Sequence, residues 1–197
     1  TDSLWGMTGM EDMGGGWNAR FQLESGFDPS SGKRADDDRL FNYAAWVGLG
    51  HESYGELRLG RQRTIGQVYG NSLEIASWKE MGMGATFKAS DNYQFSNLVN
   101  YYTPVWQGFQ AGIGYSFDAD DRSQFRTANN NRAVSLGLKY ENGPLLAVAT
   151  WDQLRLAEPP AGNNGRPQAL QLGASYDFEV LKLSLAWSRQ RNGDVGL

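Results

Sequence analysis

Apolar and polar residues alternate along most of this chain, which is the period-two pattern of strands with one apolar and one polar face. In the second such segment, Trp17 and Phe21 fall on one face and Arg20 on the other. The pattern therefore predicts an all-β protein, an antiparallel sheet of about ten strands with the apolar parity pointing outward. The predicted strands cover residues 3–11, 17–25, 41–50, 55–61, 96–103, 109–117, 134–140, 145–151, 170–177 and 181–188.

The connections between these segments alternate between short and long. Short ones carry turn residues, such as the glycines of residues 12–16 or the Asn-Gly-Pro sequence of residues 142–144, whereas long ones are polar, as at residues 26–39. Strands of about 8–10 residues match the length that a tilted strand needs to cross a bilayer. Short turns at one rim and long loops at the other are typical of outer-membrane β-barrels. A soluble β-sandwich lectin is a weaker alternative, because it does not explain this alternation.

The longest connection, residues 62–93, differs from the others in being rich in large apolar side chains. A structureless connection longer than about 12–15 residues is unusual in a compact domain and is typical of function or disorder. Ile65, Tyr69 and Trp78 are among its apolar residues, and so many are not expected in a solvated linker. We therefore predict that residues 62–93 bend onto the polar face of the sheet, with a short helical turn around residues 73–78.

Composition narrows the function classes. The 197-residue chain has a net charge of −4 and no cysteine, so it offers no basic face for nucleic acid, no disulfide and no thiolate metal site. It holds no run of 18 apolar residues, which excludes a transmembrane helix but not strands that alternate in polarity. Aromatic residues stand at the ends of the apolar faces, where the aromatic girdle of a membrane barrel would place them: Trp5, Trp17, Tyr101, Phe109, Phe117, Tyr140, Trp151, Tyr176 and Trp187.

Several short motifs resemble the general trimeric porins of Gram-negative outer membranes. They are Glu-Asp-Met-Gly-Gly-Gly at residues 11–16, Phe-Gln-Leu-Glu-Ser-Gly-Phe at 21–27, Leu-Gly-Arg-Gln at 59–62, Tyr-Thr-Pro at 102–104, Gly-Leu-Lys-Tyr-Glu-Asn-Gly-Pro at 137–144 and Leu-Gly-Ala-Ser-Tyr-Asp-Phe at 172–178. The resemblance implies a sixteen-stranded trimeric barrel whose third extracellular loop, here residues 62–93, folds inside as a constriction. It also implies that residues 1–197 are a partial porin barrel domain, a fragment lacking the first strand and the last several.

The same resemblance implies a set of pore-lining residues. Arg20, Glu24, Arg58 and Arg61 lie on the strands before the long loop, where the family builds the basic wall of its constriction, and Glu74, Glu80 and Asp91 would supply the acidic side. The plainer alternatives are a solvated lumen without selectivity and loop charges that serve solubility. Strict alternation points Arg61 outward, so it reaches the lumen only if the strand ends or bulges there. Inward basic residues common in relatives are replaced here by Leu4, Thr8, Tyr43, Gln94 and Asn100.

The expected function is passive diffusion of small hydrophilic solutes and ions across the outer membrane, selected by size and charge without chemistry or a cofactor. The expected partners are those solutes, outer-membrane lipid and, in the full-length protein, two further copies in a homotrimer. The alternative is an outer-membrane barrel enzyme or a surface-binding, adhesin-like barrel. A barrel lipase needs serine and histidine together at the rim, and the single histidine, His51, lies in a short turn.

Overall fold

The computed structural model describes residues 3–73, 94–121, 129–159, 164–193 and 195. Its regular structure consists of one short helix and ten strands, and ten is the number of strands that the alternating pattern predicted. The strands are β1 (Ser3–Gly14), β2 (Trp17–Phe27), β3 (Ala44–His51), β4 (Gly55–Arg63), β5 (Gln94–Tyr102), β6 (Phe109–Ser116), β7 (Arg132–Asn142), β8 (Leu145–Arg155), β9 (Gln168–Asp177) and β10 (Lys182–Arg191), and the helix is α1 (Ile65–Asn71). No helix in these ranges is long and apolar enough to span a membrane.

Each strand pairs antiparallel with the next one along the chain, so the strand order in the sheet is the sequence order from β1 to β10. The outermost strands, β1 and β10, each have one paired edge within the described sheet. The prediction of an open antiparallel sheet of about ten strands is therefore confirmed. The turns between β1 and β2 and between β7 and β8 use glycines with positive φ, such as Gly16 (φ 85°) and Gly143 (φ 55°), a conformation that other residues rarely adopt.

The two faces of the sheet differ in the sense expected of a membrane barrel. The outward face is apolar and uncovered, and Val47 and Leu185 on it are 60% and 71% exposed. The opposite face carries polar side chains that are covered, and Asn100 and Ser135 on it are fully buried. A water-soluble sandwich would show the reverse arrangement, with apolar side chains inward. The predicted outward apolar parity is thus confirmed.

The long connection between β4 and β5 begins with helix α1, which starts earlier than the predicted helical turn. Thr64 is the N-cap, and its Oγ1 accepts a hydrogen bond from the Gln67 N–H at 3.1 Å. This side-chain cap satisfies one of the N–H groups that the first helical turn leaves without a partner. The helix ends at Asn71, so Leu73 of the predicted turn lies beyond it, and residues 74–78 lie outside the described residues.

Helix α1 packs on the polar face of β6 to β9, which confirms the inward course of the connection as far as residue 73. Its seat is made of wall glycines. A Cβ added at Gly112 would lie 2.8 Å from Cγ2 of Ile65, and one added at Gly137 would lie 2.6 Å from the same atom. Ile65, Tyr69 and Leu73 form a buried cluster there with Tyr102 and Val148. The helix can lie this close to the wall because these strand positions have no side chain.

Candidate functional site

A cavity of about 210 Å³ lies between the polar face of the first strands and the exposed side of helix α1. It is lined by Leu4, Gln22, Glu24, Tyr43, Ala44, Trp46, Arg58, Gln62, Arg63, Val68 and Tyr102. Five of them lie at alternating positions of neighbouring strands and point to one side of the sheet: Gln22 and Glu24 on β2, Ala44 and Trp46 on β3, and Arg58 on β4. Alternation in the strands and the inward bend after β4 therefore create this cavity together.

Arg58 is the most tightly held charged residue of this cavity. Its guanidinium carbon lies 4.5 Å from the centre of the Trp46 ring and 4.8 Å from that of Tyr102. Its Nη2 donates a hydrogen bond to Oε2 of Glu56 at 2.8 Å. Trp46 is itself fixed, because its Nε1 donates to Oε1 of Gln22 at 3.2 Å. Two aromatic rings and a carboxylate thus restrict where this positive charge can lie.

Arg20 lies in the same row of the sheet, since Arg20 and Arg58 both pair with Gly48 from opposite sides. Its Nη1 lies 4.0 Å from Oε2 of Glu56, and its Nε donates to Asn18 Oδ1 at 2.8 Å. Arg20 and Glu56 also line a second cavity, of about 200 Å³, towards the short turns. The structure therefore brings Arg20 and Arg58 together and places Glu56 between them. The pore-lining roles expected of Arg20, Glu24 and Arg58 stay predictions.

Glu24 and Arg63 line the cavity on the side of the long connections. Arg63 is the last residue of β4 and is exposed. It pairs with Gln94 on the neighbouring strand β5. Gln94 is one of the positions at which this sequence lacks the inward basic residue that the resemblance leads one to expect. Positive and negative side chains thus both face the same space.

Arg61 lies apart from this cavity. The ladder between β4 and β5 shifts register between Gly60 and Gln62, which is the irregularity that the sequence analysis required if Arg61 was to turn inward. The Arg61 guanidinium is anchored at the loop rim, where Nε donates to the Asn42 carbonyl at 2.6 Å and Nη1 to Ser96 Oγ at 3.1 Å. Its role at a constriction stays a prediction, as do those of Glu74, Glu80 and Asp91, which lie outside the described residues.

A buried polar group holds the N-terminus of helix α1 against the wall. Asp152 on β8 is 2% exposed, and its carboxylate is in direct contact with Gly66. The Gly66 N–H donates to Ser135 Oγ on the neighbouring β7 at 3.1 Å. The start of the helix is therefore fixed by hydrogen bonding as well as by apolar packing.

His51 lies at the short-turn rim and not in the cavity beside helix α1. Its ring stacks on Tyr54 at 4.4 Å and tilts against Trp17 at 4.6 Å between ring centres. Both ring nitrogens are engaged, because Nδ1 accepts from the Ser53 N–H at 3.0 Å and Nε2 lies 3.1 Å from the Gly15 carbonyl. These contacts give His51 a structural place in the turn. Among the described residues, no group of three or more histidine, aspartate or glutamate side chains is arranged to hold a metal ion.

Comparison with known proteins identifies the family to which this chain belongs. A sequence model of the Gram-negative porins matches residues 1–196. The chain belongs to the Gram-negative porin family. The resemblance predicted from the motifs is thereby confirmed.

Relatives of this porin chain include two outer-membrane porins. One, from Bordetella pertussis, is 42% identical over 205 residues, and the other, outer membrane porin protein 32 of Delftia acidovorans, is 34% identical over 207 residues. The matches cover 98% and 96% of the chain but 53% and 56% of the relatives, so the chain spans about half the length of the relatives it matches.

Solved structures agree with the fold of this porin chain. An anion-selective porin from Comamonas acidovorans superposes with a TM-score of 0.76 at 30% identity, covering 96% of this chain and 58% of that one. OmpF of Salmonella typhi, solved with daunomycin, superposes with a TM-score of 0.72 at 20% identity, covering 95% and 58%. The second likeness shows the fold alone.

Sequence reasoning missed several residues that line this cavity or contact Arg58, and some of them could have been found from the sequence. Glu56 stands two residues before Arg58, so the two share a strand face and can pair, which the spacing by itself indicates. Arg63 was hidden because the predicted strand ended at residue 61. Trp46 and Tyr102 meet Arg58 from two other strands, and no local pattern reveals such contacts.

Proposed function

We propose that this chain forms part of the wall of a water-filled pore through which small hydrophilic solutes and ions diffuse passively across the Gram-negative outer membrane. The observation that carries the proposal is the cavity between helix α1 and the strands, where the polar sheet face, Arg58, Arg63 and Glu24 surround one space. A wall of fixed charges and polar groups selects permeants by size and charge. Membership of the porin family supports the same function and location.

The pore requires a closed barrel, and the described sheet has two open edges at β1 and β10. Unpaired strand edges are unsatisfied in lipid, because no water is there to bind their N–H and C=O groups. We therefore propose that the ten strands work within a larger closed barrel, in line with the greater length of the relatives. A homotrimer of such barrels, embedded in outer-membrane lipid, is part of the same proposal.

The long connection would supply the narrowest point. Helix α1 already lies on the polar face, and Glu74, Glu80 and Asp91 follow it in the sequence. We propose that these carboxylates face the basic residues Arg20 and Arg58 across the water path. Permeating ions would then cross between walls of opposite charge.

The test is planar-bilayer recording of the full-length protein. Stepwise, ohmic conductance that rises in proportion to salt concentration is expected of a passive pore, and liposomes containing the protein should swell in small sugars and not in large polysaccharides. Folded, inserted protein without conductance steps or swelling would refute the proposal. An enzyme or adhesin, the alternative, would then be tested by lipid hydrolysis and by cell-surface binding.

A further inference from the structure

Glu56 occupies a position on the basic wall that neither the resemblance nor the family membership assigns to it. It lies on β4 with its side chain on the same face as Arg58, and its side chain is 15% exposed. Its Oε2 accepts from Nη2 of Arg58 at 2.8 Å and lies 4.0 Å from Nη1 of Arg20. One carboxylate oxygen therefore faces two guanidinium groups.

The contact between Glu56 and Arg58 is held in place from other strands. The rings of Trp46 and Tyr102 lie 4.5 and 4.8 Å from the guanidinium carbon of Arg58. A long arginine side chain at a solvated wall would ordinarily sample many rotamers, and this packing restricts them. The negative charge of Glu56 thus stays beside Arg58 in the resting structure.

We propose that Glu56 is a specificity-determining residue that sets the effective charge of this part of the pore wall. Two guanidinium groups and one carboxylate leave a net charge of +1 on Arg20, Arg58 and Glu56, where the two arginines alone would present +2. The inference rests on the proposed pore function and deepens it. Without Glu56, this wall would attract anions and repel cations more strongly.

The proposal is tested by reversal potentials of the full-length protein in a KCl gradient at low ionic strength. Glu56→Gln should raise the chloride-to-potassium permeability ratio by roughly three- to sevenfold, the effect of one unit charge about 7 Å from the ion path at a water-like dielectric constant. Glu56→Asp, which keeps the charge, should stay within about twofold of the parent ratio by the same reasoning. An unchanged ratio in Glu56→Gln would overturn the inference.

Glu141 offers a matched control. It is also paired with a cation, Lys139, at 2.9 Å, but its side chain is 60% exposed and the pair lies on β7, across the sheet from Arg58. Water screens such a pair. Glu141→Gln should therefore shift the ratio by less than about twofold. An equal shift in Glu141→Gln and Glu56→Gln would overturn a specific role for Glu56.

A double variant shows whether Glu56 acts through its own charge or only by holding Arg58 in place. Arg58→Gln removes a positive charge, and adding Glu56→Gln to it restores the net charge of the parent protein. Because the field at the wall follows net charge, the double variant should recover the parent chloride-to-potassium permeability ratio to within about twofold. If it stays at the Arg58→Gln value, Glu56 acts only by holding Arg58. The double variant leaves only Arg20 without its carboxylate partner, and that side chain is 41% exposed to solvent, so no buried charge is left unpaired. The comparison of the double variant with Arg58→Gln therefore still tests the proposal if Glu56→Gln alone does not assemble.

Failure of the inference is distinguishable from failure of the proposed function. A conducting protein whose ratio ignores Glu56 but responds to Arg58→Gln refutes the role of Glu56 and keeps the pore. Inserted parent protein without conductance refutes the pore itself.

Discussion

The glycine seat beneath helix α1 can be perturbed by a single methyl group. A Cβ at residue 137 would lie 2.6 Å from Cγ2 of Ile65 and 2.7 Å from Cδ2 of Tyr69. Packed carbon atoms are about 3.5–4.0 Å apart, so Gly137→Ala must displace the helix by about 1 Å. Both side chains are almost fully buried, at 0% and 2% exposure, which leaves them little room to yield. The helix should therefore be pushed away from the wall and into the cavity.

The expected cost is that of overpacking a well-packed core, about 1–3 kcal/mol. If the strain is relieved by displacing the helix, the ratio of displaced to seated helix rises roughly 5- to 150-fold, because each 1.4 kcal/mol is a factor of about ten. Hydrogen exchange in the full-length protein measures this ratio. The amide of Gly66, which donates to Ser135 Oγ on the wall strand β7 at 3.1 Å, should exchange faster by that factor. Single-channel conductance should fall, because the displaced helix occupies the water path.

Two further variants test whether the effect of Gly137→Ala comes from its contact with the helix. Ala149→Val adds bulk to the outward face of the neighbouring strand, where Ala149 pairs with Leu138, and should leave Gly66 exchange unchanged. Ile65→Ala removes the side-chain carbon nearest to the new methyl group, so combining it with Gly137→Ala should cost less than the two separate effects added together. If Gly66 exchanges as slowly in Gly137→Ala as in the parent protein, the close packing of the helix on these glycines is refuted.

Three other predictions follow from the described contacts. Arg58→Glu changes the net charge at positions 20, 56 and 58 from +1 to −1, so the reversal potential should move towards cation selectivity. The shift should be largest below about 0.1 M salt, where screening is weakest. A shift that does not depend on salt concentration would contradict an effect of wall charge. Ser135→Ala removes the hydroxyl that accepts from the buried Gly66 N–H and should destabilise the start of helix α1 by about 1–3 kcal/mol, measured as faster amide exchange at the helix start. Ser135→Thr keeps a hydroxyl and should destabilise the helix start less. Hydrogen bonds from the side chains of Ser31 and Ser30 lower the pKa of Asp28 from 3.8 to about 2. The order that these bonds give residues 28–33 should therefore be fully present above pH 3.8 and be lost as the pH falls through about 2, which carboxyl chemical shifts on acid titration measure. An Asp28 titration midpoint in Ser30→Ala/Ser31→Ala equal to that of the parent protein would contradict this prediction.

The sequence by itself determined the strands and their facing. Side-chain alternation has a period of two, so Leu57 and Leu59 had to lie on the face opposite Arg58 once a strand formed, and the turn residues located the reversals between strands. The facing of β3 was less clear from the sequence, because Trp46 and Val47 put bulk on both of its faces. The inward course of the connection after β4 was also predictable, because its apolar groups needed cover. The start of helix α1 could have been found, since Thr64 and Gln67 have the spacing of a capping box, yet the expected helical turn was placed at residues 73–78.

Tertiary structure alone decided how the charges and the helix are held. Trp46 and Tyr102 meet Arg58 only because pairing registers bring β3, β4 and β5 together, and those registers are not written in any one strand. Gly112 and Gly137 read as ordinary strand glycines until Ile65 packs over them. Local patterns report periodicity and turn chemistry, whereas contacts between residues far apart in sequence depend on register, twist and the path of the long connection, which only the folded chain sets.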